Sequence, residues 1–214
     1  MVAVPQRAST EEQKAQRRQA IVGAAEQHLA DVGFEAFSMA QVGQLAGLAK
    51  GTLYLYFETR EVLLMGIYLA KLANWASSLG AARSFSRDAA FAEAYYEAAY
   101  ADPGFLPLMS RLDSVIEHNV PLAILIEAKC TMAATLDEIS ASLTTALELS
   151  QTQVDDAVVS LGVLILGASQ VDAGPNLRTG ALPADVRRFV DNFSSKDVFT
   201  ANACRILAGI RKGA

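Results

Sequence analysis

The sequence predicts an all-α protein, with a small N-terminal domain followed by a larger helical body. Ala and Leu dominate a composition that is 52% hydrophobic and 19% charged, which favours helices over sheet. Apolar residues recur at helical spacing along most of the chain, and strand-like alternation never persists beyond a few residues. Helix-capping and helix-breaking residues stand between the apolar segments, so the chain divides into successive helices.

Helix 1 is predicted from its caps and from a single apolar stripe. Ser9 and Thr10 each fit a capping box, so the helix begins at one of them. Gly33 is expected to end the helix in a left-handed conformation. The apolar stripe, at a spacing of about 3.6 residues, consists of Ile21, Ala24, Ala25, Leu29 and Val32.

Two short helices separated by a three-residue turn follow, in the layout of a helix-turn-helix. Ser38 is expected to cap helix 2, and Gly47 has the backbone freedom that the tight turn needs. Helix 3 is expected from about residue 50 to 57, with Leu53 and Phe57 on its buried face. Because a helix-turn-helix lays its second helix in the DNA major groove, the segment predicts DNA binding.

The residues expected to contact DNA lie on helix 3 and beside it. The Lys50 ammonium can reach a phosphate, and Gly51 has no side chain to prevent close approach of a duplex. Thr52 suits a base edge or a phosphate because it carries both a hydroxyl and a methyl group. The alternative is that helix 3 serves only to pack the domain, with its aromatic residues filling space in the core. The predicted DNA-binding residues are Ser38, Gln41, Lys50, Gly51, Thr52, Tyr54, Tyr56 and Arg60.

This segment resembles the N-terminal signature of the TetR/AcrR family of bacterial repressors. That signature looks like Gly-Val-Ser-Lys-Gly-Thr-Leu-Tyr-x-Tyr/His-Phe followed by Ser/Thr-Lys-Glu. Residues 47–57 here are GLAKGTLYLYF, followed by Thr59-Arg60-Glu61, and the match covers roughly residues 12–65. Two positions depart from the pattern. Ala49 replaces the usual Ser and removes a hydroxyl, and Leu55, where Tyr or His is common, can touch a thymine methyl.

The resemblance implies a three-helix DNA-binding domain, taken as residues 9–58, joined by helix 4 to a helical ligand-binding and dimerisation domain at 59–214. It implies a cytoplasmic homodimer, usually a repressor that a small molecule releases from double-stranded DNA. A two-fold dimer would place its recognition helices ~34 Å apart and demand a near-palindromic operator. The same resemblance implies that DNA is contacted by Lys50, Thr52, Tyr54, Tyr56 and Arg60. The effector, expected to be a small apolar or amphipathic ligand, remains unidentified.

The body is predicted to contain seven further helices. Thr59 is expected to cap helix 4, which ends near Gly80. Later helices are expected at about 87–101, 105–118, 122–149, 152–172, 184–193 and 197–211. The segments between them include Asp102-Pro103-Gly104, Asn119-Val120-Pro121, Gly174-Pro175-Asn176 and Gly180–Pro183.

Aromatic and sulfur-containing residues cluster in the first half of the body. On helical spacing Tyr96 and Tyr100 share one face, as do Phe91 and Tyr95. Such a stripe is consistent with plain core, or with an apolar pocket that has a few polar groups. The predicted ligand pocket consists of Trp75, Tyr95, Tyr96, Tyr100, Met109, His118 and Met132.

The last two long helices have the apolar character of a self-association surface. Residues 154–170 are apolar around most of the helix circumference, so that helix needs cover on several sides. The family resemblance implies that this helix and the final one pair with their copies, and the alternative is that both are monomer core. The predicted dimer interface consists of Val158, Leu161, Ile165, Phe199, Ala203, Ile206 and Ile210.

The net charge, the lengths of the apolar runs and the numbers of His and Cys residues limit which other functions the chain can have. The net charge is −5; residues 1–60 hold six basic and six acidic side chains, so the deficit lies in the body. DNA binding would therefore use a locally positive face. No apolar run approaches about 18 residues, so we expect no membrane span. Two His and two scattered Cys predict no metal site and no cofactor.

Three other functions are alternatives to a DNA-binding repressor. No nucleophile elbow or phosphate loop surrounds Asp113, Ser114, Glu117 and His118, so we expect no enzyme. A helix-turn-helix protein can act mainly through a protein partner, which an exposed apolar patch away from the dimer face would favour. An activator is the third alternative.

Overall fold

The computed structural model of the chain describes residues 10–81, 84–173, 182–191 and 194–213. These residues are helical and contain no strand, which confirms the predicted fold class. The predicted turn at 174–176 and part of the one at 180–183 lie outside them. The α-helices in the described residues are α1 (Glu11–Ala36), α2 (Met39–Leu45), α3 (Lys50–Tyr56), α4 (Arg60–Gly80), α5 (Asp88–Tyr100), α6 (Phe105–Met109), α7 (Leu122–Leu147), α8 (Gln151–Asp172), α9 (Ala184–Asp191) and α10 (Ser195–Lys212).

Helix α4 connects the two halves of the fold. In the N-terminal half α1 packs on α2 and α4, and α2 packs on α3. In the body α4 packs on α5, α6 and α7, while α8 contacts α7 and α10, and α10 also covers α5. Most side chains of α4 are buried as a result, and a movement of α4 would reach both halves.

Most of the predicted helix boundaries near the N-terminus are confirmed. Thr10 and Gln13 form the capping box at the start of α1. Gly33 has φ of 74°, so a positive φ breaks the helix where a glycine was expected to end it. The hydroxyl of Thr59 accepts the Val62 amide at 3.1 Å and caps α4.

Two predictions need correction. Ser38 is the N-cap residue of α2, as predicted, but its side chain makes no capping hydrogen bond, and its amide donates to Nε2 of His28 at 3.2 Å. The helix expected at 105–118 ends at Met109 and gives way to a π-helical turn, Leu112–Ile116, and a 3₁₀ turn, Glu117–Asn119. The helical register changes there because the Ile116 amide bonds to the Arg111 carbonyl, five residues earlier, at 3.0 Å.

Two helices, α4 and α8, are long and apolar enough to cross a bilayer by length and composition alone. The most apolar window of α4 is 61% buried inside the chain, as expected of a core helix. The corresponding window of α8 is only 28% buried, so α8 keeps an apolar face that the chain itself does not cover.

An aromatic cluster fills the centre of the body where α4, α5, α6 and α10 meet. Trp75 contacts Tyr95 edge-on, with ring centroids 5.2 Å apart, and Tyr95 stacks on Phe199 at 5.8 Å. Tyr68 stacks on Phe105 at 5.9 Å. Burial, together with the nearby charges of Asp113 and Glu117, raises the pKa of Tyr68 to about 12.

This raised pKa predicts that Tyr68 makes folding sensitive to alkaline pH. The unfolded tyrosine ionises near pH 10 and the folded one only near pH 12. The stability it contributes is therefore complete below about pH 10 and is lost as the pH rises towards 12. Tyr68→Phe should flatten the fall in unfolding free energy over this range, by roughly 2 kcal/mol. The measurement is urea unfolding at a series of pH values, with the exposed Tyr54→Phe as control. Equal slopes in both variants would contradict the prediction.

Candidate nucleic-acid interface

The orientation of α3 follows from two side chains on one face. Leu53 and Phe57 lie four residues apart, are 1% and 0% exposed, and belong to the core. Because residues four apart share a helix face, the opposite face of α3 is directed to solvent. Gly51 and Leu55 lie on that face, and Leu55 is 82% exposed, a high value for a leucine; Lys50 is exposed at the first residue of the helix.

The turn before α3 is tight because of two glycines. Gly47 has φ of 64°, a conformation that side chains other than glycine rarely adopt. The Leu48 amide donates to the Gly43 carbonyl at 2.8 Å, and a Cβ at Gly43 would lie 3.4 Å from the Leu48 carbonyl oxygen. This close packing of α2 against the turn sets the direction in which α3 leaves it.

The glycine at position 51 is not required by the geometry of the turn or by packing inside the chain. A Cβ built at this position would meet nothing within 4 Å, and its φ is not positive, so nothing inside the chain requires a glycine. The open space in front of it is available to a partner that comes close to the α3 backbone. This is the property that the sequence predicted for a helix in a DNA groove.

The other predicted DNA contacts are distributed around this face. Gln41 is exposed on α2, and the Lys50 ammonium lies 5.9 Å from the centre of the Tyr54 ring, which is itself 39% exposed. Ser38, Thr52 and Tyr56 are half-buried. The exposed polar surface is therefore concentrated at the start of α3.

Arg60 is engaged inside the protein rather than directed to solvent. Its guanidinium donates to the Phe34 carbonyl and lies 4.7 Å from the centre of the Phe34 ring. It also lies 5.9 Å from the Phe37 ring. The structure therefore gives Arg60 a role in holding the start of α4 to the end of α1, and its predicted phosphate contact stays a prediction.

The sequence analysis missed three basic residues on α1 that border α3. Lys14, Arg17 and Arg18 line a groove of about 660 Å³ together with Thr52 and Leu55. Arg18 is fixed beside α3 because it donates to the Tyr56 carbonyl at 3.2 Å and stacks over the Phe57 ring at 4.4 Å. The sequence contained a signal for this basic surface, because residues 14, 17 and 18 are three and four positions apart and share one face of helix 1.

A second set of contacts joins α1 to the body. Arg111, just after α6, stacks over the Phe34 ring at 4.8 Å and pairs with Glu35 at 3.6 Å. Phe34 therefore contacts two guanidinium groups, one from α4 and one from the body.

A cluster of charged groups around the buried Lys71 lies beside this junction. Lys71 of α4 is 9% exposed and pairs with Asp102, in the turn before α6, at 2.5 Å. Burial raises the pKa of Glu26 on α1; the nearby Lys71 opposes this shift, and Asp102 adds to it. Helix α1 is thus linked to α4 and to the α5–α6 turn through charge as well as packing.

The residues predicted for a ligand pocket are not gathered around a cavity. Trp75, Tyr95, Tyr96 and Met132 are buried, and the first three pack in the aromatic cluster and against Phe199. Met109 is half-buried and His118 is exposed. Tyr100 lines a cleft between the ends of α5 and α8 and helix α6.

The residues predicted for a dimer face lie mostly in the core of the single chain. Val158, Leu161, Ile165, Phe199 and Ala203 are at most 4% exposed, so their side chains are not accessible to a partner; Ile206 and Ile210 are half-buried. The residues predicted for the dimer interface therefore lie mostly on the faces of α8 and α10 that are turned to the core. The accessible apolar side chains are Val159, Val163, Val171 and Val198, between 43% and 71% exposed.

Two family models match the chain and together cover nearly all of its helical part. Residues 21–66 match the model described as bacterial regulatory proteins, tetR family. Residues 68–212, more than half of the chain, match the model described as tetracyclin repressor-like, C-terminal domain. No match was found among curated protein sequences.

Several solved structures share the fold over most of their length. A TetR variant from Acinetobacter baumannii AYE in complex with minocycline is 12% identical, with 91% of this chain and 92% of that chain covered and a TM-score of 0.56. The fatty acid degradation regulator FadR from Bacillus halodurans is 14% identical, with 91% and 96% covered and a TM-score of 0.54. RolR in complex with resorcinol is 16% identical, with 95% of each chain covered and a TM-score of 0.57. At these identities the likeness establishes the fold alone.

The contacts of Arg60 predict a loss of stability when it is removed. Arg60→Ala should lower the free energy of unfolding by about 1–2 kcal/mol, because the Phe34 carbonyl loses a charged donor and the two rings lose a stacked group. Lys50→Ala, which removes an exposed side chain of the same charge, should leave it unchanged within about 0.5 kcal/mol. Urea unfolding of both variants provides the comparison. Equal stabilities would show that Arg60 is not part of the junction.

Proposed function

The chain belongs to the tetR family of bacterial regulatory proteins, and we propose that it is a cytoplasmic, sequence-specific transcriptional repressor that a small apolar or amphipathic ligand releases from its operator. The observation that carries this proposal is the exposed face of α3. Gly51 and Leu55 lie there, with Lys50 exposed at the start of the helix, beside the basic side chains at the start of α1.

DNA contact is supported by the different chemistry of these groups. Lys50 and Lys14 are exposed cations suited to phosphates, which position the protein on the duplex without reading sequence. Leu55 is suited to a thymine methyl in the major groove. The bare backbone at Gly51 allows α3 to lie deep in that groove. The acidic body does not prevent this, because charges beyond about 10 Å are screened at moderate salt.

A dimer is supported by the apolar face that α8 and α10 leave exposed. The two helices run antiparallel, since Gln153 near the start of α8 bonds to Ile210 near the end of α10 and Asp172 bonds to Ser195 at the opposite ends. We propose that the exposed valines of these helices, rather than the residues predicted from sequence, meet their copies across a two-fold axis. Such a dimer would present two α3 helices to a near-palindromic operator.

Release by a ligand is supported by the junction at Phe34. Helix α4 has 21 residues and is therefore about 30 Å long, and Arg60 holds its first turn to α1. Arg111 holds α1 to the segment after α6. We propose that a ligand in the body favours a dimer with a different spacing of its α3 helices by moving these contacts. A coupling of roughly 1–3 kcal/mol would lower operator affinity enough for release.

A second candidate function has one specific observation in its favour. Leu122 and Ile126, at the start of α7, are 71% and 54% exposed and lie one helical turn apart. They form an apolar patch on a different helix from the proposed dimer face. An exposed patch of this kind favours a regulator that also binds a protein partner.

We predict that Lys50→Ala weakens DNA binding broadly across sequences. Loss of one phosphate contact should lower affinity several-fold and reduce the slope of log affinity against log salt by about one unit. The measurement is a fluorescence-anisotropy titration of a duplex selected from a random library, at several salt concentrations. Lys129→Ala, which removes an exposed lysine from the body, is the control and should change neither quantity. A loss confined to one operator base would show that Lys50 reads sequence instead.

We predict that Val163→Lys weakens the dimer. Val163 is 71% exposed in the single chain, and a lysine there would bring an unpaired ammonium into the proposed apolar interface. Sedimentation equilibrium should give a dissociation constant at least about tenfold higher, equivalent to about 1.4 kcal/mol. Leu122→Lys changes an equally exposed residue on α7 and should leave the dimer intact. If Leu122→Lys dissociates the dimer and Val163→Lys does not, the interface lies on α7.

A further inference from the structure

An open cleft in the body has the size of a small-molecule site. It lies between the ends of α5 and α8 and helix α6, and has a volume of about 600 Å³, within the usual range for ligand pockets of about 300–1,000 Å³. Leu106 and Pro107 give it an apolar wall. Tyr100, Arg111 and Asp172 bring aromatic and charged groups to the same space.

The charged groups of the cleft are not equally available to a ligand. Asp102 already pairs with Lys71 at 2.5 Å. Arg111 pairs with Glu35 at 3.6 Å and also donates to the Pro107 carbonyl at 3.2 Å. Asp172, in contrast, forms no ion pair with any lysine or arginine of the described residues. Among the described residues, the uncompensated charge of the cleft is therefore negative.

Neutral hydroxyl groups hold the Asp172 carboxylate in place. Its Oδ2 accepts hydrogen bonds from Tyr100 at 2.5 Å and Ser195 at 2.6 Å, with the Tyr96 hydroxyl at 3.4 Å. Burial raises the pKa of Tyr100, and the hydrogen bond to Asp172 adds to this effect, so the tyrosine keeps its proton and remains a donor. These bonds orient the carboxylate but do not neutralise it.

Two further features of the cleft favour a positive group. The Tyr100 ring lines the cleft, held by stacking on the buried Tyr96 at 4.2 Å, and aromatic rings attract cations. Helices α5 and α8 end at Tyr100 and Asp172, so the partial negative charges of two helix C-termini lie at the same cleft. An anionic ligand would be repelled by these negative charges, and Arg111, which already pairs with Glu35, would compensate them little.

We propose that the effector site is this cleft and that the effector is an amphipathic organic cation, with Asp172 as its counter-charge and Leu106 and Pro107 as its apolar contacts. The assignment as an effector site rests on the proposed function; the binding of a cation does not. This cleft shares Tyr100 with the pocket predicted from sequence, whose other aromatic residues are buried in the core.

The cleft also has a direct contact to the DNA-binding half. Arg111 lines it and stacks on Phe34 of α1. A cation in the cleft repels the Arg111 guanidinium, and the displaced group is the one that holds α1 to the body. Occupancy of the cleft would thus weaken the junction that sets the position of α1 and α3.

The binding test uses two ions of matched shape and opposite charge, tetraphenylphosphonium and tetraphenylborate. Each is titrated calorimetrically into the full-length protein without DNA. We expect tetraphenylphosphonium to bind at least about tenfold more tightly than tetraphenylborate. Equal affinities, or tighter binding of the anion, would overturn the proposal.

Variants then locate the binding site. Asp172→Asn should weaken tetraphenylphosphonium binding by about tenfold and leave tetraphenylborate no weaker. Asp155→Asn, an exposed carboxylate at the other end of α8, is the matched control and should change neither affinity. Ala173→Lys adds a positive charge to an exposed position of the lining and should also weaken cation binding, so the test does not depend on one variant. Unchanged phosphonium affinity in a folded Asp172→Asn or Ala173→Lys variant would overturn the proposal.

The role as an effector site has a separate readout. Tetraphenylphosphonium should release the wild-type protein from its selected duplex at concentrations that do not release Asp172→Asn. Binding to the cleft without any change in DNA affinity would overturn the effector assignment. A protein that binds no DNA would overturn the proposed function, while the calorimetric result would still decide whether the cleft binds cations.

Discussion

The burial of Leu53 and Phe57 is the constraint on which the rest of the N-terminal half depends. A helix of seven residues has room for one buried face, and these two side chains define it. Because they are fully enclosed, the helix cannot rotate, so Gly51 and Leu55 face outward, while Lys50 is exposed at the start of the helix. Arg18 adds to this by stacking on Phe57 and bonding to the last residue of α3. The chemistry offered to DNA is thus a consequence of core packing.

Contacts of Phe34 at the end of α1 connect the N-terminal half to the body. Phe34 contacts Arg60 and Arg111, and its carbonyl accepts a bond from Arg60, so the end of α1 is fixed from two sides. The body has a cleft beside Arg111 and an uncovered apolar face on α8. One pair of guanidinium groups therefore lies between the cleft that we propose as the effector site and the N-terminal half that holds α3. A dimer on the α8 face would fix the bodies, so that changes at Phe34 alter the spacing of the two α3 helices.

Local signals predicted the helices and the motif well, because caps, turns and apolar spacing act within a few residues. The positive φ of Gly47 and the buried pair on α3 were both expected. Tertiary contacts were not predictable in the same way. Arg60 stands where the family motif has a phosphate contact, but its partner, Phe34, lies 26 residues earlier. Helix α8 is apolar around most of its circumference, so periodicity did not distinguish the core face of Leu161 from the exposed face of Val163.

The most direct test of α3 in the major groove is a double-mutant cycle between Leu55 and the thymine methyl groups of the selected operator. Each thymine is replaced in turn by uracil, which removes only the methyl group, and affinity is measured for the wild type and for Leu55→Ala. We expect one position in each half-site where the replacement weakens the wild type several-fold but leaves Leu55→Ala unchanged, the two positions lying about one helical turn apart. If no thymine shows such coupling, or if coupled positions occur in one half-site only, the paired insertion of α3 is contradicted.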